Sequence, residues 1–294
     1  MADTPTLLTG LIPLAQQLEF FHQAGVDLRI QAHATGDQAL QALVAKEADV
    51  ASLAETAFVL RLFDQPDLRV LSVIGGCDNE VRILARRDAG IQTLADLRGK
   101  RVATQQRLST HFFLDQVLLK YGINPEEITT IFQKLPRLPD MIVSKEVDAI
   151  VTRDPYLSQA LERLGENGLL LEAPGLYDKV YVLAVRRESL IHRAEELQQL
   201  LTALLRAEHY ARDHAATAQA LLATLLPEEN LALHWHHTRL RLWLDHRFLL
   251  TLEEVAEWAI RKQLVAGKSV PNFQGNLAPE ILRRIRPIAV NLME

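Results

Sequence analysis

Several short stretches of this chain group polar side chains in ways that could hold a small molecule: Thr35-Gly36, Glu55-Thr56, Asp78-Asn79, Gln105 to His111, and Arg153 to Tyr156. Ser109 and Thr110 fall where a helix should begin. Their hydroxyls and the unpaired backbone N–H groups beside them could hold an anion or carboxylate, or they could serve only as a helix cap. Arg153 offers a planar guanidinium to an acidic group; the alternative is an internal bridge to Asp154 or Glu55. Glu55 suits an amine, or pairs with Arg153. The candidate contacts are therefore Thr35, Gly36, Glu55, Thr56, Asp78, Asn79, Gln105, Gln106, Ser109, Thr110, His111, Arg153, Asp154 and Tyr156. Donors dominate the 105–110 stretch, and carboxylates stand at positions 55, 78 and 154. That mixture suits a polar molecule with at least one anionic or strongly accepting group better than a bare inorganic anion, which nearby carboxylates would repel.

Covalent and metal chemistry find less support. Ser109, His111 and Asp115 could be drawn as a triad, but they share one helix turn and no nucleophile-elbow motif accompanies them. His234, His236 and His237 surround Trp235; on a helix only His234 and His237 share a face, so surface histidines are the expected reading and no metal is. Neither a P-loop nor a dinucleotide-binding glycine pattern occurs, and no cofactor is expected.

A repeated phrase indicates how these residues are positioned. Lys46-Glu47-Ala48-Asp49 leads into Val50-Ala51-Ser52-Leu53 and then Glu55. Lys145-Glu146-Val147-Asp148 leads into Ala149-Ile150-Val151-Thr152 and then Arg153-Asp154. In both places an amphipathic run precedes and another follows, which predicts helix, tight turn, short buried strand, polar loop, helix. Ligands in open α/β sheets sit where loops leave the carboxyl ends of strands. Two such units predict two α/β lobes presenting Glu55 and Asp154 to one cleft.

Further elements follow from pattern. Leu11 to Phe21, Asp37 to Lys46 and Thr110 to Tyr121 read as helices, and Val26 to Ile30, Leu68 to Ile74, Val81 to Ala85 and Val180 to Val185 as strands. From Ser189 onward the pattern is almost wholly helical, with Ile191 to His214, Ala216 to Leu225, Leu231 to Leu244 and Leu252 to Lys262 as the runs.

At 294 residues, 48% apolar and 23% charged, the chain has material for more than one core. A formal charge of −5 gives no general attraction for nucleic acid or anionic lipid. Cys77 is the only cysteine, so no internal disulfide forms and no cysteine zinc motif exists. No apolar run is long enough to span a bilayer. The first residues lack the pattern of a secretory signal, so the chain reads either as cytosolic or as a mature portion with a start Met.

The run Ile91-Gln92-Thr93-Leu94-Ala95-Asp96-Leu97-Arg98-Gly99-Lys100-Arg101-Val102 resembles a segment of type II periplasmic substrate-binding proteins, in the nitrate/sulfonate/taurine branch of ABC importers. Gly25-Val26-Asp27-Leu28, Thr35-Gly36 with Lys46 to Thr56, Val147-Asp148-Ala149 to Pro155, and Leu249 to Ile260 are similar to further segments of that family, in the same order.

The resemblance implies an α/β, two-lobed fold with two crossover strands, Val81–Ala85 and Val180–Ala184, and a helical C-terminal region. Residues 1–86 and 180–294 would form one lobe and 87–179 the other. It implies a non-enzymatic, monomeric, periplasmic or extracytoplasmic binding protein whose signal or anchor lies outside this chain. That protein would close on a small molecule and deliver it to an ABC permease. A ligand-sensing domain of a membrane signalling protein is the alternative, as is a cytosolic enzyme resembling the thiamine-pyrimidine synthases, although the cysteine-rich motif of those enzymes is absent. One departure stands out. The family has a strand and ligand-contacting loop before its first helix, and here only Thr6-Leu7-Leu8-Thr9 stands in that place. Either that strand is trimmed from the chain or the first-lobe sheet is short.

Overall fold

The computed structural model describes residues 1–173, 175–226 and 230–292, the side chains of 232 and 233 excepted. The chain divides into two compact units. One gathers Met1–Gly76, Val180–Pro227 and Thr238–Glu294; the other gathers Cys77–Lys179 and Glu228–His237.

In the first unit, strand β1 (Ala2–Asp3) lies between β2 (Gln31–Ala32) and β3 (Val50–Ala54), parallel to both. The strand missing from the sequence pattern is therefore present, but only two residues long and ahead of Thr6, too short to show an alternation. Thr6–Thr9 is a 3-10 turn closed by a capping box between the Thr6 and Thr9 side chains. The expected helix Leu11 to Phe21 is split into α1 (Leu11–Gln17) and α2 (Phe20–Gln23), with Glu19 in the left-handed region at φ 57° between them. Val26 to Ile30 forms no strand. Helix α3 (Gly36–Val44) precedes β3, α4 (Glu55–Leu62) follows it, and β4 (Leu68–Cys77) completes this pass. Gly36 lets α3 pack closely on β3, since a Cβ there would stand a tight 3.0 Å from the Leu53 Cβ.

The second unit is built on β5 (Arg82–Arg86), β6 (Arg101–Thr104), β7 (Thr129–Phe132), β8 (Ala149–Thr152) and β9 (Gly168–Leu171), in the sheet order β7-β6-β8-β5-β9. Helices α5 (Ser109–Lys120), α6 (Leu138–Val143) and α7 (Tyr156–Leu164) connect them. Leu84, Ala103, Leu138, Ile142, Ile150 and Leu157 interlock as its core. Each fully buried Leu or Ile among them contributes about 1.5–3 kcal/mol of transfer free energy.

The chain then re-enters the first unit through β10 (Lys179–Arg186), antiparallel to β3 with Val185 opposite Val50. Helices α8 (Arg187–His192), α9 (Ala194–Asp213) and α10 (Ala215–Leu225) follow. The expected helix Leu231 to Leu244 does not form as one. Its start is α11 (Leu231–His234), which belongs to the second unit, and its end is a strand, β11 (Thr238–Asp245). Leu240, Leu242 and Leu244 alternate with Arg239, Arg241 and Trp243, a period-two signal that the longer helical run masks. Helix α12 (His246–Arg261), α13 (Pro279–Ile285) and β12 (Val290–Asn291) close the chain, and the first sheet reads β12-β11-β4-β10-β3-β1-β2.

The repeated Lys-Glu-x-Asp phrase forms the same turn twice. Lys46 and Lys145 take φ of 64° and 65°, ending α3 and α6 in the left-handed region. Glu47 N donates to Ala42 O at 2.9 Å, and Glu146 N to Met141 O at 3.0 Å, the outer hydrogen bond of a Schellman cap.

Candidate functional site

Strands β6, β7 and β8 run parallel, so their carboxyl ends share one edge of the second sheet, where α5 and α7 begin. Strand β5 is antiparallel to β8 with Arg82 opposite Thr152, which brings Asp78, Asn79 and Glu80 to the same edge. The end of β9 arrives there too, with Leu171 opposite Ile83.

Helix α5 is the most exposed to chemistry of these starts. Leu108 occupies its N-cap and supplies no side-chain cap, so the first backbone N–H groups lack the usual acceptor. Ser109 is 6% exposed and Thr110 1%. The Thr110 hydroxyl has no hydrogen-bond partner among the described residues, a costly state for a buried hydroxyl. His111 is buried against the Phe132 ring at 4.8 Å, with its Nε2 3.4 Å from Asp115. Gln105 is spent accepting from Leu135 N at 2.9 Å, and Gln106 is exposed.

At the α7 start the candidate residues are committed to one another. Asp154 is 2% exposed; its Oδ1 accepts from Ser158 N at 3.0 Å and Ser158 Oγ at 2.8 Å, and its Oδ2 lies 2.9 Å from His234 Nε2. Burial would raise the Asp154 pKa, but the hydrogen bonds from His234 and Ser158 outweigh it and hold the carboxyl below its ordinary value. For His234 burial acts downward, and the hydrogen bonds with Asp154 and Cys77 and the charges of Asp154 and Glu80 overcome it, lifting the imidazole to about 9. His234 is 1% exposed, which overturns its reading as a surface histidine. Arg153 donates to the Asp154 carbonyl at 2.9 Å and stands 3.9 Å from Glu80, rather than using the Asp154 carboxylate. Glu80 accepts two 2.7 Å bonds from Lys179, both side chains being buried. Tyr156 is half-buried against the unit's core.

A cavity of 180 Å³ opens at this edge, lined in part by Asp78, Asn79, Arg82, Phe113, Glu172 and His237. Only Asp78 and Asn79 were in the sequence-derived set. Arg82 lies within the expected crossover strand and opens β5, Phe113 lies one turn into α5, and Glu172 and His237 come from distant stretches whose proximity only the sheet order and the return of residues 230–237 create.

In the first unit the corresponding edge holds Thr35, which caps α3 through Gln38 N at 3.3 Å, together with Gly36, Glu55 and Thr56. Glu55 is fully buried and accepts from Val180 N at 3.1 Å; Thr56 is 2% exposed. Asp3, missed in the sequence, ends β1 there. Ser52 Oγ donates to its carboxylate, and Thr4 Oγ1 donates to Ser52 O at 2.5 Å. Burial raises the Asp3 carboxyl to about 6, against the lowering effect of the Ser52 hydrogen bond. A wider hollow of 470 Å³ in this unit lies along α1 and α2, among Gln16, Glu19, His22 and Asp27, away from every candidate residue. Among the described residues no three His, Cys, Asp or Glu side chains are grouped to hold a metal ion. No helix among them is long and apolar enough to cross a membrane.

The two mixed α/β sheets with their helices define a periplasmic-binding-protein fold. Residues 8–218 match the family described as NMT1/THI5 like, and the chain belongs to that family. It is similar in structure to the alkanesulfonate-binding protein SsuA from Xanthomonas axonopodis pv. citri bound to MOPS. That likeness has a TM-score of 0.76 at 20% identity, over 95% of this chain and 97% of that one. It is also similar to the Candida albicans CA3427 gene product, described as exhibiting the generic periplasmic binding protein fold (TM-score 0.71, 13% identity, 100% and 96% covered). The desulfurization enzyme DSZB is similar as well, with a TM-score of 0.70 at 16% identity and 97% of both chains covered. No curated protein matches the chain. The resemblance read from the ordered sequence segments is borne out in family and fold.

Proposed function

We propose that this protein is a solute-binding protein that captures a small polar molecule bearing an anionic group, for delivery to an ABC permease outside the cytoplasm. The observation that carries this reading is the start of α5, a twelve-residue helix with no side-chain N-cap, whose buried Thr110 hydroxyl lacks a partner among the described residues. First-turn N–H groups and the positive end of the helix dipole favour negative charge at such a point. The fold shared with a MOPS-bound alkanesulfonate-binding protein supports a sulfonate or carboxylate as that group. Ser109 and Thr110 are the proposed anion contacts, with Asp78 and Asn79 at the same sheet edge. Asp154, capping α7 and holding His234, acts as a positioning group in this reading. A sensing domain would use the same site with a signalling partner in place of the permease. The DSZB likeness raises turnover as a rival; Cys77, the single thiol, is fully buried and not presented to a substrate.

Mass spectrometry of co-purified small molecules, followed by calorimetry on the identified compound, tests the proposal. Thr110→Val should weaken binding about tenfold, the loss of one hydrogen bond to a charged group. Unchanged affinity in that variant would remove the anion from the α5 start, and steady conversion of the compound by the purified protein would replace binding with catalysis.

A further inference from the structure

Residues 230–237 leave the first unit's part of the chain and pack as part of the second. Three side-chain contacts are among those that hold them there. Asn230 Nδ2 donates to Ser158 Oγ at 3.1 Å, His234 pairs with Asp154 at 2.9 Å, and His237 Nδ1 stands 3.1 Å from Asp78 Oδ1. The outer two are exposed, whereas the His234–Asp154 pair is 1% exposed on both sides. Exposed contacts of this kind hold weakly, while a buried charged pair resists opening because each partner would be left uncompensated. His237 lines the 180 Å³ cavity, and it stands three residues beyond His234.

We propose that residues 230–237 form a strap that walls this cavity, and that His234 is the positioning residue that keeps His237 at its rim. The strap resides in the second unit while the chain on either side of it belongs to the first, so its attachment is a tertiary choice rather than a consequence of chain continuity. Only the cavity's use as a ligand site rests on the solute-binding reading; the strap is testable without any ligand.

The groups facing His234 set the conditions under which the strap holds. They are Asp154 from the β8–α7 junction, Cys77 from the end of β4 and Glu80 from the segment before β5. Glu80 is in turn neutralised by Lys179, with Arg153 nearby. The His234 pKa is raised above its unfolded value, so its contribution is fully present below pH 6.5 and is lost as pH rises through about 9.

Hydrogen exchange measured by mass spectrometry on the full chain tests the strap. In His234→Ala, exchange across 230–237 should quicken at least tenfold while β6 and β8 keep their protection. Equal protection of the strap in wild type and variant overturns the proposal. Should that variant fail to fold, the wild type answers through Trp235, which is half-buried on the strap while Trp243 and Trp258 are buried. The acrylamide-quenchable share of tryptophan fluorescence should rise between pH 8 and 10, and a flat profile through pH 9 overturns the proposal. With MOPS as a probe sulfonate, His234→Ala should release it at least tenfold faster. A wild type that ignores MOPS counts against sulfonate binding and leaves the exchange result to decide the strap.

Discussion

The two Lys-Glu-x-Asp turns share a backbone and differ in what their acids do. In each, a left-handed lysine ends a helix, and a strand begins one residue after the aspartate and pairs antiparallel with β10 or β5. An arginine closing that partner strand reaches back to the turn. Arg186 donates to Ala48 O at 2.7 Å, and Arg86 to Val147 O at 3.2 Å. Asp148 is nearly saturated: it accepts from Arg101 N at 2.9 Å, from the Arg101 guanidinium at 2.8 Å and from Arg86 at 3.1 Å, and is 14% exposed. Asp49 is 48% exposed, with Arg186 and Arg193 each 3.6 Å away. At the far end of the strands the matched acids diverge again, Glu55 accepting a backbone N–H and Asp154 holding a histidine and a serine. The repeat thus encodes a turn and a strand start. Chemistry specific to each unit was added to a common frame.

Removing each aspartate is the strongest test of that difference. Asp148→Ala removes one of the two carboxylates paired with the nearly buried Arg86, Asp88 remaining, and strips Arg101 N of its acceptor; it should cost about 2 kcal/mol, below the range for leaving a buried charge wholly unpaired. Asp49→Ala removes only half-exposed contacts and should cost under about 1 kcal/mol. Urea denaturation of the two variants measures both, and equal losses would mean that the turns are energetically equivalent despite their contacts.

What was legible in the sequence was the frame. The strands around Leu68, Val81 and Val180 announce themselves by β-branched and apolar runs, and the ordered segments carry the family. What escaped has specific causes. Strand β1 is two residues long and gains its place from pairing on both sides, which no local pattern records. The alternation of β11 sits directly after a short helix, and a helical reading runs through it. His234 looks like one of a surface cluster because its buried partner, Asp154, is 80 residues away. Of the candidate site, the α5 start was legible from Ser109-Thr110 before an apolar run, whereas Arg82, Phe113, Glu172 and His237 meet only through sheet order. Glu55 and Asp154 were found at the predicted strand ends, and their internal partners could not be read from position alone.

The buried acids extend the contrast into pH. In the second unit Glu80 and Asp154 face Lys179 and His234, while in the first Asp3 has a hydroxyl as its side-chain partner. Its folded pKa, about 6, lies above the unfolded value near 4, so the folded chain binds the extra proton between them. Stability should therefore fall as pH rises from about 4 through 6, by roughly 2 kcal/mol. Asp3→Asn should flatten that slope while leaving the alkaline loss linked to His234 in place. Urea midpoints from pH 4 to 8 in the two proteins decide it, and a parent whose midpoint rises over pH 4–6 by the same amount as the variant would show that Asp3 ionises freely.

The smallest effect bears most directly on the equivalence of the two turns. Lysine in the left-handed region costs roughly 1–2 kcal/mol relative to its preferred conformations, and glycine takes that region freely at an entropic cost of about 0.5–1 kcal/mol. Lys46→Gly and Lys145→Gly should each stabilise the protein by about 0.5 kcal/mol, since the pairs these lysines make with Glu188 and Asp88 are exposed and contribute little. The two gains should agree, because φ differs by one degree between the sites and the outer cap hydrogen bonds are alike. Reversible urea unfolding of both variants beside the parent provides the measurement. A gain at one turn with a loss at the other would show that one lysine is held by its surroundings rather than by the turn, and the two copies would then share a shape without sharing its energetics.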